Sequence, residues 1–161
     1  MIAIVMGVVG AGKTTVGKLL ASELGWEFAD ADDFHPQSNV EKIRHGFALT
    51  DEDREPWLDR LREAIVRWIA EGKSVILACS ALKRSYRAKL CVGPQVRFVY
   101  LKGSAALIAD RLHSRHGHFA GESILASQLA DLEEPEKAIT VDITGTPEQI
   151  AAEIKRALAM E

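Results

Sequence analysis

Short apolar runs alternate along the chain with longer segments of helical periodicity. Ile2–Met6 is a continuous apolar run that predicts a first strand, and apolar residues three or four apart from Val16 to Leu24 predict a helix after it. Four more runs predict the remaining strands: Trp26–Ala29, Ser74–Cys79, Val96–Leu101 and Ile139–Ile143. Alternation of strands and helices is typical of a parallel sheet covered by helices on both faces, so we expect a three-layer α/β fold.

Prolines and glycines mark the predicted helix ends. A helix is predicted to start at Pro56 and to end at Gly72, with an apolar stripe of Trp57, Leu58, Leu61, Ile65 and Ile69. Pro147 is predicted to open the last amphipathic helix. The polar segment from Asp30 to Glu55 shows little periodicity, and its length indicates a functional loop with small helices.

Composition and charge exclude several classes of protein. The 161 residues, 47% apolar and 27% charged, are typical of one soluble domain. The net charge of −3 shows no basic excess, so we expect no nucleic-acid partner. Cys79 and Cys91 form no C-x-x-C motif, which favours a reducing compartment. No apolar run approaches the roughly 20 residues of a membrane span, so a cytoplasmic enzyme without a membrane partner is expected.

Residues 7–14, Gly-Val-Val-Gly-Ala-Gly-Lys-Thr, match the phosphate-binding pattern G-x-x-x-x-G-K-[ST] at every fixed position. The motif follows a predicted strand and opens a predicted helix, which is the context it requires. Backbone N–H groups of such a loop point at phosphate oxygens, and the helix N-terminus adds partial positive charge. Lys13 is expected to reach the β- and γ-phosphates, and the Thr14 hydroxyl is expected to bind Mg²⁺. The candidate nucleotide contacts are Gly7, Gly10, Ala11, Gly12, Lys13, Thr14 and Thr15.

The class of phosphate-loop protein follows by elimination. No N-K-x-D base reader is present, since Asn39 is the single asparagine of the chain and does not lie in that setting. A motor or helicase would need a longer chain. A small kinase remains, in which the phosphoryl group goes to a bound acceptor.

Aspartates follow the second predicted strand, at Asp30, Asp32 and Asp33. In doubly wound sheets, ligands bind beyond the carboxyl ends of the strands. An extended strand end would place Asp30 and Asp32 on one face, beside the phosphate loop. A carboxylate there can accept the proton of a substrate hydroxyl, while another positions the waters of a metal ion.

Further motifs make a family resemblance specific. The chain resembles gluconokinases of the small P-loop type, which are related to shikimate kinases and nucleoside monophosphate kinases. The resemblance covers nearly the whole length. Beyond the phosphate loop it rests on the segments Asp30–Pro36, Thr50–Leu58, Cys79–Lys83, Tyr100–Gly103, Arg111–Phe119 and Leu132–Pro135. The H-P, D-x-D-R-x-P-W-L and C-S-A-L-K pieces distinguish this family from shikimate kinases.

The resemblance implies phosphorylation of D-gluconate at its 6-hydroxyl by Mg·ATP. It implies a single P-loop kinase domain over residues 1–161, with five parallel strands in the order 2-3-1-4-5. It also implies an acceptor-binding insert at residues 30–72 and a lid at residues 111–127. A homodimer is common among relatives and is therefore expected.

The resemblance also suggests roles on the acceptor side. Asp32 would hold the acceptor hydroxyl and act as general base, and Asp30 would orient the waters of Mg²⁺. A sugar acid needs cationic partners, so His35, Arg54 and Lys83 are expected around the polyol and its carboxylate. Ser80 is expected to donate a hydrogen bond to the ligand.

The lid and the adenine corner complete the expected site. Arg111 and Arg115 would neutralise charge on the transferring phosphoryl group as the lid closes. His118 is expected to shape the lid hinge and is counted among the substrate-binding residues. In related kinases the corner after the last strand packs against the adenine, which assigns Pro147 to the nucleotide.

Alternatives remain open from the sequence. Arg54 lies in an ordinary charged stretch, and the basic residues at 111–119 also fit a solvated helix end or, less well, a metal site. The third strand carries no acidic metal anchor, so Mg²⁺ would depend on Thr14 with Asp30 and Asp32. Departures from the family pattern, at Val9, Ala48 and Ala120–Gly121, concern the acceptor more than the donor. A kinase for another small hydroxy acid or polyol, or a nucleotide-dependent regulatory module, is therefore a competing hypothesis.

Overall fold

Five strands form one parallel sheet in the order β2-β3-β1-β4-β5. The structure is a computed structural model that describes the backbone of residues 1–116 and 120–160 and the side chains of residues 1–114 and 124–160. The strands are β1 (Ile2–Met6), β2 (Glu27–Asp30), β3 (Val75–Ala78), β4 (Val96–Lys102) and β5 (Ile139–Asp142). Each observed end lies within one residue of the predicted one, so both the strands and their expected order are confirmed.

Helices cover both faces of the sheet. They are α1 (Lys13–Leu24), α2 (Gln37–Arg44), α3 (Asp51–Ala70), α4 (Arg84–Leu90), α5 (Ala105–His116), α6 (Ala120–Asp131) and α7 (Pro147–Ala159). A short 3₁₀ helix, Ala31–Phe34, follows β2. In the described part of the chain, none of these helices combines the length and the apolar character needed to cross a membrane.

Strand β1 lies at the centre of the sheet and is fully buried, because both of its neighbours and both layers of helices cover it. Ile4 pairs with Leu77 of β3 on one side and with Phe98 of β4 on the other. Its side chains alternate between two cores: Ala3 and Val5 pack in one, and Ile2, Ile4 and Met6 pack in the other. The phosphate-loop motif therefore starts from the most firmly held strand of the protein.

Helix α3 begins five residues before the predicted start at Pro56. A capping box at Thr50 and Asp53 starts the helix there. The Thr50 hydroxyl accepts from the Asp53 N–H (3.1 Å), and the Asp53 carboxylate accepts from the Thr50 N–H (3.0 Å). Pro56 lies inside the helix. The earlier start places Arg54 on the first turns of α3, rather than on a loop.

The end of β2 also differs from the prediction. Asp30 is the last residue of the strand, but Asp32 lies in the 3₁₀ helix and not on an extended strand end. The Asp30 carboxylate caps this helix, since its Oδ1 accepts from the Asp32 N–H at 3.0 Å. The two aspartates therefore come together because Asp30 caps the first turn of this helix. They do not lie on one face of an extended strand, as was expected.

Candidate active site

The phosphate loop joins the carboxyl end of β1 to the N-terminus of α1. Gly10 and Gly12 have φ values of +82° and +99°, a region in which a side chain is strained. The loop closes on itself where the Ala11 N–H donates to the Val8 carbonyl (3.1 Å). Lys13 Nζ donates to the same carbonyl at 3.0 Å. This geometry leaves a cradle in front of the first turn of α1, as the motif predicts.

Three adjoining cavities lie along this edge of the sheet. The first, of about 300 Å³, is lined by Gly10, Gly12, Thr15, Arg111, Gly145 and Pro147, among others. The second, of about 230 Å³, lies over Lys13 and shares Gly10, Gly12 and Thr15 with the first. The third, of about 310 Å³, shares Val9, Asp32, Ser80 and Gln128 with the second. We name them the nucleotide, phosphate and acceptor cavities, after the contacts expected from the motifs.

Charged groups of opposite sign line the phosphate cavity together. Burial lowers the pKa of Lys13, opposed by the negative charges of Asp32 and Asp30. Burial raises the pKa of Asp32, and the neighbouring carboxylate of Asp30 raises it further, against the opposing effect of Lys13. Desolvation is the main cause of both shifts. Asp32 is therefore a carboxyl whose affinity for a proton exceeds that of a free aspartate.

Oxygen donors in the same cavity fit a magnesium ion. Thr14, Asp30 and Asp32 all line it, and Mg²⁺ is typically held by one or two carboxylates together with substrate phosphates and water. Within the described residues, no group of three or more His, Cys, Asp and Glu side chains could hold a metal ion on its own. The hydroxyl of Thr14 and the two carboxylates suit an ion whose other ligands are the phosphates of a nucleotide and water.

The acceptor cavity is enclosed by the 3₁₀ helix, α2, the loop after α2, α3 and α6. Its lining includes Asp32, His35, Arg54, Trp57, Ser80 and Gln128. The His35 ring stacks on Trp57, with centroids 4.4 Å apart and planes 11° from parallel. The Trp57 indole N–H donates to the Ala31 carbonyl at 2.7 Å, which fixes this aromatic pair against the 3₁₀ helix. Polar groups thus converge on a pocket with an otherwise apolar wall.

Curated relatives of this chain are kinases. The chain is 43% identical to a probable gluconokinase from Xenopus tropicalis, over 96% of this chain and 92% of that protein. It is 45% identical to a gluconokinase from Gluconobacter oxydans (strain 621H), over 95% of this chain and 88% of that protein. The chain belongs to the gluconokinase family. The family resemblance expected from the motifs is thereby confirmed.

Solved structures and a wider family agree with the gluconokinase assignment. A gluconokinase from Sinorhizobium meliloti 1021 superposes with a TM-score of 0.89 at 40% identity, over 98% of this chain and 91% of that chain. The family model described as shikimate kinase matches residues 9–159, so the chain also belongs to this wider family. A shikimate kinase from Acinetobacter baumannii, 22% identical with a TM-score of 0.63, covers 99% of this chain and 93% of that chain and shares the fold.

A network of charges lies at the wall of the acceptor cavity in this gluconokinase-family chain. Arg54 Nη1 donates to the Tyr86 hydroxyl (2.9 Å) and lies 3.4 Å from Oδ2 of Asp131 on α6. Lys83 Nζ lies 2.8 Å from Oδ1 of Asp51, and the Tyr86 hydroxyl donates to the same carboxylate. Arg54 lines the cavity, whereas Lys83 is held beside it by Asp51. The structure thus brings Arg54, His35, Ser80 and Asp32 together and places Lys83 at the periphery.

The predicted lid residues are divided between described and undescribed positions. Arg111, on α5, lines the nucleotide cavity together with Pro147, and its Nη2 donates to the Ile143 carbonyl. It therefore lies on the nucleotide side rather than over Lys13. His118 and the side chain of Arg115 lie outside the described residues.

Two polar residues of the site were missed by sequence reasoning. Gln128 of α6 lines both the phosphate and acceptor cavities, and its Oε1 accepts from the Val9 N–H of the phosphate loop at 2.6 Å. Asn39 of α2 is buried behind His35. The Gln128 contact joins residues 119 positions apart, so no local pattern indicates it. Asn39 is the single asparagine of the chain and lies in the polar segment from Asp30 to Glu55, and this position was the available signal for it.

Proposed function

We propose that this protein is a gluconokinase that transfers the γ-phosphoryl group of ATP to the 6-hydroxyl of D-gluconate. The observation that carries the proposal is the position of Asp32, which lines both the phosphate cavity and the acceptor cavity. A hydroxyl bound beside Asp32 would face the γ-phosphate of a nucleotide held by the loop. The relatives named gluconokinases, at 40–45% identity over most of the chain, support gluconate as the acceptor.

Asp32 is proposed as the general base. It would accept the proton of the 6-hydroxyl as the oxygen attacks phosphorus, while the bond to the β–γ bridging oxygen breaks and ADP leaves. Its raised pKa supports this role, because a base with a higher pKa holds the transferred proton more strongly. Positioning of the hydroxyl in line with the leaving group supplies much of the rest of the catalysis.

Lys13 and the phosphate loop are proposed to bind the transferring group. Lys13 Nζ donates to the Val8 carbonyl, which holds the amine at the cradle. When ATP binds, its phosphate oxygens would accept from Lys13 Nζ, from the backbone N–H groups of Gly10 and Gly12 and from the hydroxyls of Thr14 and Thr15. The Ala11 N–H would join them by exchanging its hydrogen bond with the Val8 carbonyl for one with phosphate. Gly7 allows the loop to leave β1, and Pro147 with Arg111 would border the adenine side.

Magnesium is proposed as the cofactor, held by the Thr14 hydroxyl and, through water, by Asp30. The ion supplies charge neutralisation for the β- and γ-phosphates. The Asp30 carboxylate already accepts from the Asp32 N–H, which fixes its orientation toward the phosphate cavity.

Recognition of the sugar acid is proposed to depend on the acceptor cavity. Arg54 offers a guanidinium group that can bind a carboxylate with two parallel hydrogen bonds. His35 and Ser80 would bind hydroxyl groups of the polyol. Lys83 would contribute through Asp51, whose charge it neutralises beside Arg54. This leaves the positive charge of Arg54 for the substrate and for Asp131.

Larger-scale features complete the proposal. Residues 30–72 would act as the acceptor insert and residues 111–127 as the lid, with Arg115 and His118 contributing from the lid. The resemblance to small kinases supports a homodimer, and the two free cysteines support a cytoplasmic location. The net charge of −3 supports the absence of a nucleic-acid partner.

A coupled assay of ADP release tests the proposed function. The purified protein is given ATP and Mg²⁺ with gluconate, and in parallel with other aldonates, shikimate or AMP. Strong stimulation by gluconate, with mass spectrometry showing one added phosphoryl group, is expected. Stimulation by another acceptor without stimulation by gluconate would overturn the proposal and favour a kinase for that acceptor.

A further inference from the structure

Asn39 makes two hydrogen bonds from one buried amide group. It is only 2% exposed. Its Nδ2 lies 2.7 Å from the backbone carbonyl of Asp53 and 3.2 Å from Nδ1 of His35. A backbone carbonyl can only accept, so the Asn39 atom beside Asp53 must be the NH₂ nitrogen and not the oxygen. The carbonyl of Asp53 therefore fixes the orientation of the amide.

The orientation of this amide determines the tautomer of His35. An amide NH₂ can only donate, and one of its two hydrogens serves Asp53, so the other points to Nδ1 of His35. Nδ1 must then be the acceptor, and in a neutral ring the proton is on Nε2. Nε2 is the nitrogen left for the acceptor cavity, which the His35 ring lines.

The surroundings keep the ring neutral. Burial, followed by the positive charge of Arg54 on α3, lowers the pKa of His35 to about 4. The ring stacks on Trp57 of α3, and Asp32 of the 3₁₀ helix lines the same cavity from the side of the phosphate loop. At neutral pH, Nδ1 of the imidazole thus accepts the hydrogen bond from Asn39, and Nε2 carries the proton and can donate.

We propose that Asn39 is a positioning residue: it holds His35 as the Nε2–H tautomer, so that His35 donates a hydrogen bond to an oxygen of the acceptor. The identity of that oxygen, on gluconate, rests on the proposed function. His35 in this state has no free lone pair and cannot act as a base, which leaves the proton of the 6-hydroxyl to Asp32. The cavity then selects among substrates, because the substrate must place an oxygen that accepts a hydrogen bond opposite Nε2 of His35.

NMR of the ring nitrogens tests the tautomer directly. Protein labelled with ¹⁵N-histidine gives long-range proton–nitrogen correlations, and the signals of His35 are assigned by their loss in His35→Gln. The wild-type protein at neutral pH should show an unprotonated Nδ1 and a protonated Nε2, and gluconate should shift Nε2. A protonated Nδ1 in the wild-type protein would overturn the inference, and this measurement needs no variant of Asn39.

Kinetics of matched variants separate positioning from packing. Asn39→Leu removes the donor, and we expect the KM for gluconate to rise about tenfold, with the KM for ATP changed less than about twofold. Lys42→Met is the control. It breaks the other tie between α2 and the start of α3, the 2.7 Å ion pair of Lys42 with Asp53, without touching His35. The control should keep both the wild-type tautomer and the wild-type KM for gluconate.

Asn39→Asp gives an independent signature. A carboxylate beside Nδ1 should raise the pKa of His35, so both ring nitrogens become protonated at a higher pH than in the wild-type protein. A KM for gluconate that depends on pH over that new range is expected. Equal kinetic losses in Asn39→Leu and Lys42→Met, with an unchanged His35 spectrum in both, would reduce Asn39 to a packing role and overturn the inference. If wild-type protein fails to phosphorylate gluconate, the proposed function fails, while the spectrum still decides the tautomer.

Discussion

Gly10→Ala tests how tightly the phosphate loop packs against helix α5. Gly10 has a φ of +82°, and a Cβ placed on it would lie 2.7 Å from Cγ and 2.9 Å from Cδ2 of Leu112. It would also lie 3.2 Å from Cγ2 of Ile108. Both neighbours are buried in α5, so neither can turn away into solvent. The methyl group must therefore displace either the loop or the helix that carries Arg111.

Two terms set the size of the effect. Left-handed backbone with a Cβ costs about 1–2 kcal/mol. Overpacking against two buried side chains adds about 1–3 kcal/mol. The free energy of unfolding should therefore fall by about 2–5 kcal/mol, which for a chain of this size lowers Tm by roughly 4–20 °C.

Gly25→Ala is the matched control for the backbone term. Gly25 caps the C-terminus of α1 with a φ of +69°, and nothing lies within 4 Å of its Cβ position. Its variant should lose about 1–2 kcal/mol of stability. Chemical denaturation of both variants, compared at constant m-value, measures the difference, and the KM for ATP should rise only in Gly10→Ala. Equal losses of stability would refute the reasoning, because the contacts with Leu112 and Ile108 would then cost nothing.

Three further expectations concern the reaction. Asp32→Asn should lower kcat by about 10²–10⁴-fold, with little change in the KM for ATP, as steady-state kinetics would show; a pure loss of ATP affinity would place Asp32 on the nucleotide side. Burial and Asp30 raise the pKa of Asp32, and a base acts unprotonated. The wild-type kcat/KM should therefore fall on acidification at a pH above the range of a free aspartate, and a pH profile without that acidic limb would contradict the role. Arg54→Met should raise the KM for gluconate by about 10–100-fold, whereas Lys83→Met, which breaks the ion pair with Asp51, should raise it less than about threefold; similar losses in both variants would contradict the placement of Lys83 outside the cavity.

Strands and the phosphate loop could be predicted from the sequence because their signals are local. Ile2–Met6 is apolar at every position, and this is what a central strand buried on both faces requires. The loop motif fixes its own conformation through glycines and a helix start. For helix α3 the sequence contains two competing start signals: Pro56 predicts a late start, and the Thr50–Asp53 capping box gives the observed one. The capping box is a local signal, so the true start of α3 could have been predicted from the sequence.

Relations between distant residues could not be predicted in the same way. The pair Asp30 and Asp32 was expected to meet through an extended strand, and meets instead through a capped 3₁₀ turn. The sequence assigns both Arg54 and Lys83 to the substrate. The structure pairs Lys83 with Asp51 and places Arg54 in the wall of the acceptor cavity. The partner of each cation depends on which carboxylate the fold brings close to it, and the spacing of residues along the chain does not predict this.

The central position of β1 has a consequence for synthesis on the ribosome. Among the strands that the structure describes, β1 pairs with β3 and β4 alone, and β3, the earlier of the two, begins at Val75. At about 5–20 residues per second, roughly 4–14 s separate the emergence of Met6 from that of Val75. During that interval the apolar strand β1 has no partner in the sheet, and the phosphate loop that follows it lacks the strand on which it is later held. The most buried strand of the finished enzyme is thus the one that waits longest for its partners and most needs protection from aggregation.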